Sequence, residues 1–130
     1  MKILVIGLGN PILGGLSLME RLIGYQRVIL IDSLNTGQRS QGSVVTFTLE
    51  DLVDPTYGHT SAAHDASLKT ALDMGRKLNA ILPADKDVHV VAIEAQHVYD
   101  FKEELSPVIA AAAQVAVQQV LDLLKEINGV

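Results

Sequence analysis

The chain contains no cysteine, and that absence removes several kinds of chemistry at once. A disulfide framework, a cysteine-type zinc site, an iron–sulfur cluster and a thiol nucleophile are all excluded. Positive charge is scarce as well: Lys and Arg number 10 against 15 Asp and Glu, a formal net charge of −5. Such a balance repels a phosphate backbone, and no basic cluster offsets it, so a nucleic-acid partner is not expected. Long apolar runs are missing too. Met1-Lys2 precedes an apolar stretch, but Gly7-Leu8-Gly9-Asn10 ends it after a few residues. That is too short for a signal-peptide core, and no run reaches the roughly 18 apolar residues of a membrane span. A cytoplasmic setting without a membrane span is the expectation. Repeats, linkers and low-complexity tracts are also lacking.

What is present suits one globular domain over residues 1–130, with 48% hydrophobic and 19% charged residues. A chain of this size buries about two-thirds of its unfolded surface, enough for a core without staples. Ile3-Leu4-Val5-Ile6 and Val28-Ile29-Leu30-Ile31 are uniformly apolar, as strands buried on both faces are. Between them Leu18, Met19, Leu22 and Ile23 fall at helical spacing, with Gly24 where the helix stops. Strand, helix, strand of this kind predicts a parallel βαβ unit. Ser43 to Leu49 is β-branched and alternating, as an edge or antiparallel strand would be. Asp65 to Asn79 predicts a helix, Val88 to Ile93 a further buried strand. Ser106-Pro107 opens a last helix running to about Ile127. The alanine run Ala110 to Ala113 reads as close helix packing. The expected fold is α/β: a three-layer sandwich, its mostly parallel sheet carrying helices on both faces, with Ser43–Leu49 at or near an edge.

In an open parallel sheet, ligands gather beyond the carboxyl ends of the strands. Asn10, Asp32, Glu94 and His97 arrive there, and a helix starting near His64 could point its first turn at the same rim. Each residue has an ordinary explanation. Asp32 can cap the Ser33-Leu34-Asn35 loop, Asn10 can form a turn, and Glu94 can be a solvated acid. His59, His64 and His97 can be surface histidines, and His89 lies inside a strand. The sharper reading makes Asp32 a metal ligand or a ribose-binding acid. Ser61 with His64 could suggest a nucleophile pair, but no G-x-S-x-G elbow exists. Gly7 and Gly9 fit two positions of a dinucleotide fingerprint, with Asp32 about the right distance downstream. The third glycine position is Ile12, however, and Asn10-Pro11 is extended where a helix should open. A nucleotide-binding Rossmann-like enzyme is therefore only the runner-up.

Taken together, Ile3–Gly14, Arg27–Asp32, His64–Leu68, Val91–Glu94 and Leu105–Pro107 resemble the hydrogenase maturation proteases. The resemblance covers nearly the whole chain, in order, through five short motifs. It implies a cytoplasmic, metal-dependent endopeptidase that removes the C-terminal extension of a nickel-loaded hydrogenase large-subunit precursor. The metal would be substrate-borne nickel. The family's ligands are an acid after the glycine loop, an aspartate at a strand end and a histidine at a helix start; Asp32 and His64 match the second and third. An oxygen and an imidazole suit nickel, which can also polarise a scissile carbonyl. Asn10 and Glu94 are the expected substrate-binding residues. The chain departs from the family at the first ligand, because Gly14 runs straight into Gly15-Leu16-Ser17 and Glu20, the nearest acid, lies in the next helix. A helix and strand of about 25–30 residues are expected to be missing between Gly14 and Gly15. If the loss is real, the alternative is a relative that binds the precursor without cutting it.

Overall fold

Apolar runs of four or five residues bury both strand faces, and here they assemble edge to edge. The computed structural model describes residues 2–7, 15–52, 63–95 and 107–129, except the side chains of 15 and 63–66. The elements run β1 (Ile3–Gly7), α1 (Gly15–Leu22), β2 (Arg27–Leu34), β3 (Val44–Thr48), α2 (Ala63–Lys77), β4 (Val88–Glu94) and α3 (Pro107–Asn128). Single-turn helices at Leu49–Asp51 and Asp85–Asp87 follow β3 and precede β4. The four strands lie in the order β1-β2-β4-β3. β1 pairs parallel with β2, and β2 with β4, while β3 runs antiparallel to β4 along an edge. This is the mixed, mostly parallel α/β sheet that the apolar strands and the alternating Ser43–Leu49 segment predict.

The period of two along each strand divides the core between the faces. Val28, Leu30, Leu34, Val88, Val90 and Ala92 point one way, under Leu18 and Leu22 of α1 and Leu68 and Leu72 of α2. Ile29, Val91 and Ile93 point the other way, under Ile109, Ala112, Ala116 and Val120 of α3. The three layers follow from this split. Fully burying a leucine- or isoleucine-sized side chain is worth about 1.5–3 kcal/mol, and both faces carry several. The small Ala112 and Ala116 let α3 approach the sheet closely, as the alanine run suggests. By length and composition alone α3 could cross a membrane, yet its buried stripe lies on the sheet.

Several boundaries differ from the sequence expectation, two of them beside the rim. β2 does not stop at Asp32, because β4 continues opposite it: Asp32, Ser33 and Leu34 pair with Ala92, Ile93 and Glu94. The Ala95 N–H then donates to the Leu34 carbonyl at 2.8 Å, carrying the ladder one step further. α2 starts at Ala63, two residues before Asp65. Gly14, and with it the expected break before Gly15, lies outside the described residues.

Candidate functional site at the carboxyl-end rim

β4 lies between β2 and β3, so the chain leaving β2 must cross the carboxyl end of β4 before it can descend as β3. Residues 35–43 make that crossing. The Gly42 N–H donates to the Glu94 carbonyl at 2.7 Å, and the Glu94 N–H donates to the Ser43 carbonyl at 2.8 Å. The loop thus passes directly over the last residue of β4 and forms one wall of the rim.

Asp32 stands on the α1/α2 face, in phase with Val28, Leu30 and Leu34, and is 8% exposed. Its Oδ1 accepts the Ser33 N–H at 2.7 Å. This local bond orients the carboxylate, but it lies within β2: Ser33 and Leu34 are paired strand residues, not the capped loop that the ordinary explanation of Asp32 foresees. Glu94 shares the same face one diagonal step away, opposite Leu34, and is 1% exposed. The Thr36 N–H donates to Oε2 at 2.8 Å and the Thr36 hydroxyl donates to Oε1. The Thr36 Oγ1 in turn accepts the Gln38 N–H at 3.0 Å. Glu94 is therefore not a solvated acid: its carboxylate is turned inward to the crossing loop.

α2 reaches the rim with its first turn. Its last turns are tied to the start of β4, where Arg76 donates to the Pro83 carbonyl and to Asp85 Oδ1, the latter at 2.9 Å. The opposite end of the helix, with His64 as its second residue, lies at the carboxyl ends of the strands. α2 also packs on the face that carries Asp32 and Glu94. Position 64 precedes buried Leu68 by one helical turn, in line with Leu68 and Leu72. The backbone thus brings Asp32, Glu94 and position 64 to one side and one end of the sheet. Asn10, His59, Ser61 and His97 lie outside the described residues. His89 is at the far, amino end of β4, and Glu20 is exposed on α1. Among the described residues no group of three or more His, Asp or Glu side chains is placed to hold a metal ion. A shallow cavity of about 360 Å³, lined by Glu50, Arg76, Leu82, Ala84, Asp85 and Lys86, opens at the amino end, away from the rim.

Thr36 is the residue that sequence reasoning missed. It is one polar loop residue among several, and its meaning depends on Glu94, 58 positions away. Nothing local marks it.

An open, mostly parallel sheet with an acid on a strand and a helix start at one rim places the chain in the class of α/β proteins whose ligands gather beyond the strand ends. Solved structures share this fold. The hydrogenase maturating endopeptidase HybD from E. coli is 18% identical, with a TM-score of 0.63, over 97% of this chain and 93% of that one. An endopeptidase from Escherichia coli is 20% identical, with a TM-score of 0.70 and the same coverage. The [NiFe] hydrogenase maturation protease HybD from Thermococcus kodakarensis is 22% identical, with a TM-score of 0.59, over 95% of this chain and 99% of that one. No curated protein matches the sequence. The hydrogenase maturation protease family (HycI) matches residues 4–123, and the chain belongs to that family. Its function is accordingly that of a hydrogenase maturation endopeptidase.

Proposed function

We propose that this protein, acting as a single cytoplasmic domain, removes the C-terminal extension of a nickel-loaded hydrogenase large-subunit precursor, with Asp32 and His64 recognising the nickel. The supporting observation is that Asp32 and the first turn of α2 share one face and one end of the sheet. A carboxylate and an imidazole form a donor set that nickel accepts. Two ligands hold an ion weakly unless it brings donors of its own, which fits nickel arriving in the substrate rather than as a resident cofactor. The nickel supplies charge that can polarise the scissile carbonyl. Asn10, which lies outside the described residues, is proposed as a further substrate-binding residue.

The departure at the first acidic ligand supports a second reading, a relative that binds the precursor without cutting it. Among the described residues only α1 stands between β1 and β2, and Glu20 on it is exposed. The two readings part in one experiment, in which nickel-loaded precursor is incubated with the protein and its mass followed. Loss of the C-terminal peptide is expected. His64→Ala should abolish it, while His89→Ala at the far end of β4 should leave it largely intact. Binding with unchanged mass would establish the second reading, and normal processing by the His64 variant would remove His64 from the site.

A further inference from the structure

A buried carboxylate is costly unless its oxygens are satisfied, and Glu94 spends both on a single residue. Its oxygens accept the N–H and the hydroxyl of Thr36, and the same hydroxyl oxygen takes the Gln38 N–H. The Glu94 backbone meanwhile holds Gly42 and Ser43 at the other end of the same loop. One residue at the end of β4 therefore pins both ends of the crossing loop, its side chain at Thr36 and its main chain at Gly42 and Ser43. The Thr36 end begins four residues after Asp32, and Glu94, which holds it, stands one diagonal step from Asp32 on the same face of the sheet. Between the last ladder bonds at Leu34 and at Ser43, the side-chain clamp holds the loop at Thr36.

We propose that Glu94 is a positioning residue: through Thr36 it fixes the loop wall beside Asp32, and it thereby sets affinity for the precursor without touching it. This deepens the endopeptidase reading and rests on it. The chemistry of the clamp distinguishes the variants. Glu94→Gln keeps an acceptor for the Thr36 N–H but sets an amide donor against the Thr36 hydroxyl, whose proton then loses the acceptor it has in Glu94. Thr36→Val removes the hydroxyl at both of its bonds, whereas Thr36→Ser retains the hydroxyl and the N–H.

The test measures precursor binding, KM and kcat on nickel-loaded precursor, and amide exchange at Thr36 and Gln38. Glu94→Gln and Thr36→Val are expected to speed exchange at both amides. They should raise the precursor Kd and KM about tenfold, equivalent to ~1.4 kcal/mol, with a much smaller change in kcat. Thr36→Ser should restore the affinity. Thr36 lies in a loop, so its variants keep the folded chain available even if Glu94→Gln folds poorly. Faster exchange with Kd and KM unchanged would reduce Glu94 to a purely structural brace and overturn the proposal, as would unchanged exchange. If the wild type binds precursor but does not cut it, the endopeptidase reading fails, and Kd and exchange still decide the role of Glu94.

Discussion

His89 and Glu94 stand at opposite ends of β4 and on opposite faces of it, and their surroundings set them apart. His89 is partly buried on the α3 side, and its pKa is lowered below the ordinary histidine value of 6.5, first by burial and then by the Arg27 charge. Asp87, Glu126 and Asp51 oppose the shift without reversing it. A folded state that resists protonation binds fewer protons than the unfolded chain, so stability falls as pH drops through 6.5 toward the folded value. The lost stability is restored above that window. Melting temperatures from about pH 8 to about pH 5.5 should therefore decline less steeply for His89→Gln than for the wild type. Equal slopes would show that His89 does not titrate against folding. At this scale Asp32 was legible, because a carboxylate closing an apolar run is conspicuous. The partner of Glu94 was not, because Thr36 becomes meaningful only when β2 and β4 pair.

The elements were mostly legible, since helical and strand periods are local properties. Their boundaries depended on partners, as with β2, which lengthens past Asp32 because β4 offers residues to pair with. The crossing loop gives an element-scale prediction. Gly42 has φ +88°, and a Cβ there would stand 2.5 Å from Val108 Cγ1 and 3.3 Å from the Val108 carbonyl oxygen at the start of α3. Gly24 has a similar φ of +90° but nothing within 4 Å. Gly24→Ala should cost about 1–2 kcal/mol, from left-handed backbone strain alone. Gly42→Ala should cost more, about 2–4 kcal/mol, because overpacking adds roughly 1–3 kcal/mol and α3 must shift. Urea unfolding of the two variants checks the difference; equal losses would mean that α3 does not press on the loop.

Across the whole molecule, the α1/α2 layer and the α3 layer cover the sheet unequally. α3 lies over β4 and β3, leaving Val5 of β1 42% exposed beside fully buried Ile29. α3 itself shows Val108, Val115, Val117 and Leu121 to solvent. The family assignment also carries a prediction against the nucleotide-binding alternative. A ligand bound at one hundred times its Kd adds about 2.7 kcal/mol to stability, which a melting curve would register readily. NAD should leave the melting temperature unchanged, and a clear rise would reopen the dinucleotide reading of Gly7, Gly9 and Asp32.

The order of local periodicities determined the α/β class, and the run of short motifs from Ile3 to Pro107 determined the family, because both are written in neighbouring residues. Asp32 and His64 stood out for the same reason. The placement of β4 between β2 and β3 was decided only in the tertiary structure, since strand order rests on hydrogen bonds between residues far apart in the chain. From that placement come the loop that crosses the rim and the inward turn of Glu94 to Thr36. A carboxylate at a strand end looks alike in sequence whether it faces solvent or a buried donor; only the packing of the loop above it selects between the two.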